Sequence, residues 1–123
     1  MARRINSKRK GAVGERELAA ELNRLFALET RRGQQYSGLE GEDVVGFPGV
    51  HIECKRVENL NLNTAMAQSI KDAAKDQIPV VFHRKNHKPW LVTVRLEDLE
   101  ALARQVISQV EAIGGSQQDE GEA

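Results

Sequence analysis

Val50-His51-Ile52-Glu53-Cys54-Lys55 alternates apolar and polar side chains, the period of two that marks a half-buried strand. Residues two apart on a strand project from one face about 7 Å apart. Glu53 and Lys55 therefore point together, while Ile52 and Cys54 turn to the apolar side. A carboxylate so placed can hold a hard divalent cation through oxygen. A lysine beside it can orient or deprotonate water, or stabilise the charge that develops on a phosphorane. The tripeptide alone is weak, because Glu and Lys two apart usually form an ordinary exposed pair.

Asp43 adds weight. A three-residue connection, Phe47-Pro48-Gly49, pairs Gly46 with Val50 and hence sets Asp43 opposite Glu53 on one face of an antiparallel hairpin. A two-residue turn would set Asp43 opposite Cys54 instead. The first register needs a bulge or longer loop near Gly46 or Gly49, residues that take positive φ at little steric cost. Two facing carboxylates repel unless a cation lies between them, so this register favours a metal. The ordinary alternative makes Asp43 a loop residue or cap after Gly41.

Glu15 is a third carboxylate. At about 100° per residue it falls within the arc of Leu18, Ala19, Leu22, Leu25 and Phe26, whereas Glu17 and Glu21 do not. A carboxylate on the face that a helix turns to its sheet is costly unless it is paired or binds metal, so Glu15 is expected to reach Asp43 and Glu53. Its alternative role is to favour the helix dipole from the first turn.

Around these residues the pattern predicts a helix over 14–28, strands over 31–36, 43–47 and 50–55, and a helix over 64–76 capped by Asn61 or Asn63, with Met66, Ile70 and Ala73 inward. Strands over 78–84 and 90–94 follow, then a helix with Leu99, Ala103, Val106 and Val110 inward. The order is αβββαββα, an α/β domain. With 123 residues, 40% of them hydrophobic, the chain has one core, expected over 11–112 between a basic arm at 1–10 and an acidic, disordered tail at 113–123. The single cysteine, without Cys or His neighbours at zinc spacing, argues against a disulfide framework or a structural zinc. No apolar run reaches bilayer length and no signal-peptide pattern opens the chain, so the expectation is a soluble cytoplasmic protein. A formal net charge of +0 decides nothing about a nucleic-acid partner, because the basic start and acidic end cancel.

The stretches 10–18 (Lys10-Gly11-Ala12-Val13-Gly14-Glu15-Arg16-Glu17-Leu18), Glu42-Asp43-Val44-Val45 and Ile52-Glu53-Cys54-Lys55, with Gln68, together resemble the archaeal-type Holliday-junction resolvases and their phage relatives in the PD-(D/E)XK nuclease superfamily. The resemblance covers most of residues 10–95. It implies a restriction-endonuclease-like core, a central mixed β-sheet flanked by helices, Mg²⁺ or Mn²⁺ dependence, a homodimer, and paired nicks in a four-way DNA junction. By this resemblance Glu15, Asp43 and Glu53 are metal ligands together with the Cys54 backbone carbonyl, Lys55 is the catalytic lysine, Gln68 joins the catalytic set and Ser37 supports junction cleavage. On the helical count Gln68 lies with Lys71 and Lys75, equally the place of a solvated face. The chain departs from the motif at Glu42, where the family usually has proline.

Lys8, Arg9, Lys10, Arg16, Arg31, Arg32, Lys71 and Lys75 are candidate phosphate contacts, expected to give sequence-independent, salt-sensitive affinity for branched double-stranded DNA. His51, His83 and His87 are read as surface or DNA-proximal, and Trp90 as core or interface packing. The apolar faces of the last helix and the 78–94 hairpin exceed the needs of a small core, which predicts a dimer interface there. No membrane or small-molecule cofactor is expected. Two other readings stay open: a nicking or restriction-like enzyme acting on ordinary duplex, and a non-catalytic DNA-binding accessory protein.

Overall fold

The computed structural model describes residues 2–33 and 43–122, with side chains described for 11–33 and 43–112. Helix α1 (Ala2–Phe26) leads into β1 (Arg31–Arg32), β2 (Val44–Val45) and β3 (Val50–Arg56). Then come α2 (Leu62–Asp72), β4 (Ile78–Arg84), β5 (Leu91–Val94), one 3₁₀ turn (Leu96–Asp98) and α3 (Leu99–Glu122). The strands form a single five-stranded sheet in the order β1-β2-β3-β4-β5. It is mixed, since β3 and β4 are parallel and the other neighbours antiparallel. A parallel pair needs a crossover, and α2 supplies it.

Period-two alternation sorts β3 between two layers. Val50 and Ile52 join Leu18 and Leu22 of α1, Val80 and Phe82 of β4, and Leu102 of α3 in one buried cluster. His51, Glu53 and Lys55 project from the opposite face, toward α2. Burying these aliphatic side chains contributes about 1.5–3 kcal/mol each, and that cluster anchors the strand whose other face carries the charges.

The β2–β3 connection has the register that the three-residue turn requires: Val44 pairs with Ile52, which brings Asp43 beside Glu53. Gly46 and Gly49 both have positive φ, 106° and 76°. At Gly46 a side chain is barred twice over, because a Cβ would stand 2.6 Å from the Glu29 carbonyl oxygen.

Several elements differ from the sequence expectation. The first helix begins at Ala2 and the last runs to Glu122, so helical backbone covers most of both terminal segments. Helix α2 starts earlier, because Asn61 caps it by accepting the Thr64 N–H, and it buries Ala65 and Ser69 in place of Met66, Ile70 and Ala73. Small residues let the helix lie close to the sheet, and the Ser69 hydroxyl donates to the Val80 carbonyl at 3.1 Å. Helix α3 docks through Leu102 and Val106, leaving Leu99 and Val110 about half exposed. On α1, Leu25 is 54% exposed although it lies on the apolar arc. β1 is short, and the expected strand residues 34–36 lie outside the described residues.

Replacing Gly46 by alanine is expected to lower the stability by about 1–3 kcal/mol, read as a fall in the urea midpoint at unchanged slope.

Candidate active site

β3 crosses the middle of the sheet and carries Glu53 almost out of water, at 5% exposure. Asp43 approaches from the start of β2, and its Oδ2 accepts the Cys54 backbone N–H at 2.8 Å. That bond locks the carboxylate to the strand bearing Glu53 and Lys55. Asp43, Glu53 and Lys55 line one cavity of about 630 Å³, closed on the other side by the start of α2 and by Gln68 and Asp72. The Lys55 ammonium lies 3.7 Å from Glu53 Oε2.

Glu15 is 8% exposed on α1 and accepts a hydrogen bond from Arg32 Nε at 2.7 Å. It lines a second cavity with Asp43, Cys54 and Lys55, adjoining the first through Asp43 and Lys55. The Cys54 thiol senses the whole group. Burial first, and then the carboxylates of Asp43, Glu15 and Glu53, push its pKa far above that of an ordinary thiol, with Lys55 opposing. Three carboxylates thus act on one point of β3.

Arg56, at the end of that strand, fastens α1 to the sheet. Its Nε donates to Glu17 at 2.7 Å, Arg84 of β4 donates to the same carboxylate at 3.3 Å, and a second Arg56 nitrogen donates to the Asn86 side chain at 2.7 Å. Gly14 permits the approach, since a Cβ there would stand 2.8 Å from the Arg56 Cβ.

The remaining expected residues are distributed as follows. Gln68 is on the cavity wall, and its amide donates to Asp72 at 2.6 Å. Arg16, Arg31, Arg32, Lys71 and Lys75 are exposed and line neither cavity. Ser37 and the side chains of Lys8, Arg9 and Lys10 lie outside the described residues. Trp90 packs against the core cluster.

The histidine reading needs correction at His51, which is fully buried beneath α2, with Nε2 3.7 Å from Glu53 Oε1. Its place in the alternation of β3 already put it on the Glu53 face, but burial of that face depended on α2. His83 is half-buried and bonds Thr93 Oγ1 at 2.9 Å, and desolvation lowers its pKa. Asp72 escaped the sequence reading altogether. Ligand atoms of His51, Glu53 and Asp72 lie within 4.8 Å of one another, the one such group of three among the described residues. A third cavity, about 780 Å³, adjoins the first through Asn59, Leu60 and Asn61 and is bordered by Arg84, Lys85 and Lys88.

Carboxylates and a lysine converging on the central strand of a mixed sheet form a site that can hold a divalent cation beside a phosphodiester. The chain belongs to the family described as "Phage putative PDDEXK endonuclease", whose model matches residues 6–121. No curated protein and no solved structure matches it. Among the described residues no helix is long and apolar enough to cross a membrane.

Cys54 is expected to resist alkylation by iodoacetamide in the native protein at pH 8 and to react as an ordinary thiol in denaturant, because its raised pKa keeps the thiolate scarce. Equal rates in the two states would contradict the burial of the thiol, which raises its pKa more than the surrounding carboxylates do.

Proposed function

We propose that this chain is a divalent-metal-dependent DNA endonuclease that nicks four-way junctions as a homodimer. The observation that carries the reading is the cavity in which Asp43, Glu53 and Lys55 converge. Its carboxylate oxygens suit a hard cation such as Mg²⁺ or Mn²⁺. When bound, that ion supplies Lewis-acid activation of water and charge stabilisation at the phosphate.

The chain's own residues do the rest. Asp43 and Glu53 would hold the cation, Asp43 with one oxygen already fixed by the Cys54 N–H. Glu15 completes the acidic set from α1, and Arg32 neutralises it meanwhile. The Cys54 carbonyl lies on the same strand as a further oxygen donor. Lys55, beside Glu53, orients the attacking water and offsets charge on the phosphate in the transition state. Gln68 steadies the opposite wall through Asp72.

DNA reaches this cavity over cationic ground. Arg84, Lys85 and Lys88 border the adjoining groove, and the exposed Arg16, Arg31, Arg32, Lys71 and Lys75 are the further side chains offered to phosphates. Affinity carried by such contacts falls steeply with salt and ignores sequence.

Junction resolution needs two sites of opposite polarity, which a two-fold dimer provides. Edge strand β5 exposes Leu91 and Val92, and the following segment exposes Leu96, Leu99, Ile107 and Val110. A second copy of the chain is the partner proposed for this apolar surface.

With a synthetic four-way junction and a linear duplex of the same sequence, metal-dependent paired nicks confined to the junction are expected, absent in EDTA. Asp43→Asn is expected to slow them by more than about a hundredfold, since several kcal/mol of transition-state stabilisation depend on the cation. Equal cutting of the duplex would retain the nuclease and remove junction selectivity, and binding without cutting would leave an accessory protein. In sedimentation equilibrium the wild type is expected as a dimer and Val92→Lys/Leu96→Lys as a monomer that makes only unpaired nicks.

A further inference from the structure

Glu53 turns its two oxygens in different directions, Oε2 to Lys55 and Oε1 to His51, each at 3.7 Å. A separation of 3.7 Å between Oε1 and His51 Nε2 is too long for a hydrogen bond. A cation between them would fit that spacing, since two donors each about 2.1 Å from one ion lie roughly 3.0–4.2 Å apart. Asp72 closes the group from the far wall, with ligand atoms of all three residues within 4.8 Å of one another.

Three features set this cluster apart from a chance gathering of charge. His51 is an imidazole, fully buried behind Glu53, on the strand that carries the acidic site. Asp72 is the last residue of α2, where the partial negative charge of the helix end disfavours a carboxylate and attracts a cation. Gln68 donates to Asp72 Oδ2 at 2.6 Å and so aims the carboxylate, as groups around metal ligands commonly do. Glu53 and Asp72 both border the cavity, which opens the cluster to ions from solvent.

We propose that His51, Asp72 and Glu53 Oε1 form a second cation position, sharing Glu53 with the position at Asp43, and that it prefers a first-row transition ion to Mg²⁺ or Ca²⁺. The preference follows from the donor set, because imidazole nitrogen suits transition ions while Mg²⁺ and Ca²⁺ favour all-oxygen shells. Glu53 would then offer one oxygen to each position. The proposal rests on the reading of Glu53 as a metal ligand, but not on junction selectivity.

The test uses the full chain without DNA, titrated with Mn²⁺ and separately with Mg²⁺, by calorimetry and by electron paramagnetic resonance of Mn²⁺. The wild type is expected to bind two Mn²⁺, one of them showing coupling to a directly bound imidazole nitrogen, and to take Mg²⁺ at that position at least about tenfold more weakly. Asp72→Asn, at an exposed position, is expected to weaken the nitrogen-coupled ion by about tenfold or more and to leave the melting temperature in EDTA unchanged. His51→Gln is expected to abolish the coupling. Asp43→Asn is expected to remove the other ion and keep the coupled one. Absence of nitrogen coupling in the wild type, or Mn²⁺ binding unchanged by Asp72→Asn, overturns the second position. Loss of cleavage with Asp43→Asn while either of those holds would leave the nuclease standing with a single cation position.

Discussion

A carboxylate held 5% exposed on a strand flanked by two neighbours is the constraint to which the rest of this structure answers. An isolated charge so placed is costly, and proteins tolerate it only where the charge is paired or binds metal. Around Glu53 stand an ammonium on one side and a buried imidazole on the other, both at 3.7 Å. Glu15, the second buried carboxylate, is answered by Arg32.

Holding such a group requires stiff surroundings, and these come from backbone features that a side chain would spoil. The β2–β3 turn passes so close to the Glu29 carbonyl that any side chain at Gly46 would be strained, and the resulting register places Asp43 within reach of the Cys54 N–H. On the other face of the strand, Gly14 lets α1 approach Arg56, which is fixed in turn through Glu17 and Asn86. Arg84 shares the same Glu17 carboxylate, so α1, β3 and β4 are linked by one polar network next to the acidic cluster. Because each donor and acceptor in it is partly shielded from water, the linkage is stronger than that of exposed ion pairs.

Helix α2 is the element that completes the cavity. Its buried side chains are Ala65 and Ser69, and their small size lets the helix settle near β3 and β4. That close seat buries His51 and brings Asp72 to Glu53. A larger inner face of Met66 and Ile70 would have held the helix further out and left the cavity wider on that side. The same seat puts Gln68 on the wall, where its amide reaches Asp72 rather than solvent.

The alternation from Val50 to Lys55 identified the central strand and the face bearing Glu53 and Lys55, because strand periodicity is a local property of the chain. The glycines and proline of the β2–β3 turn allowed the register that sets Asp43 beside Glu53, though a shorter turn was equally open until Val44 was seen opposite Ile52. Helical spacing likewise singled out Glu15 as a carboxylate turned inward. The faces of α2 and α3 were misread, since each helix carries more than one apolar stripe and only packing selects between them. The roles of Asp72, Glu17, Arg56 and Arg84 were not legible, and for His51 only the face of the strand was. Their partners lie far away in sequence, and contacts across a sheet or between layers exist only after the crossover helix and the parallel pair have brought those segments together.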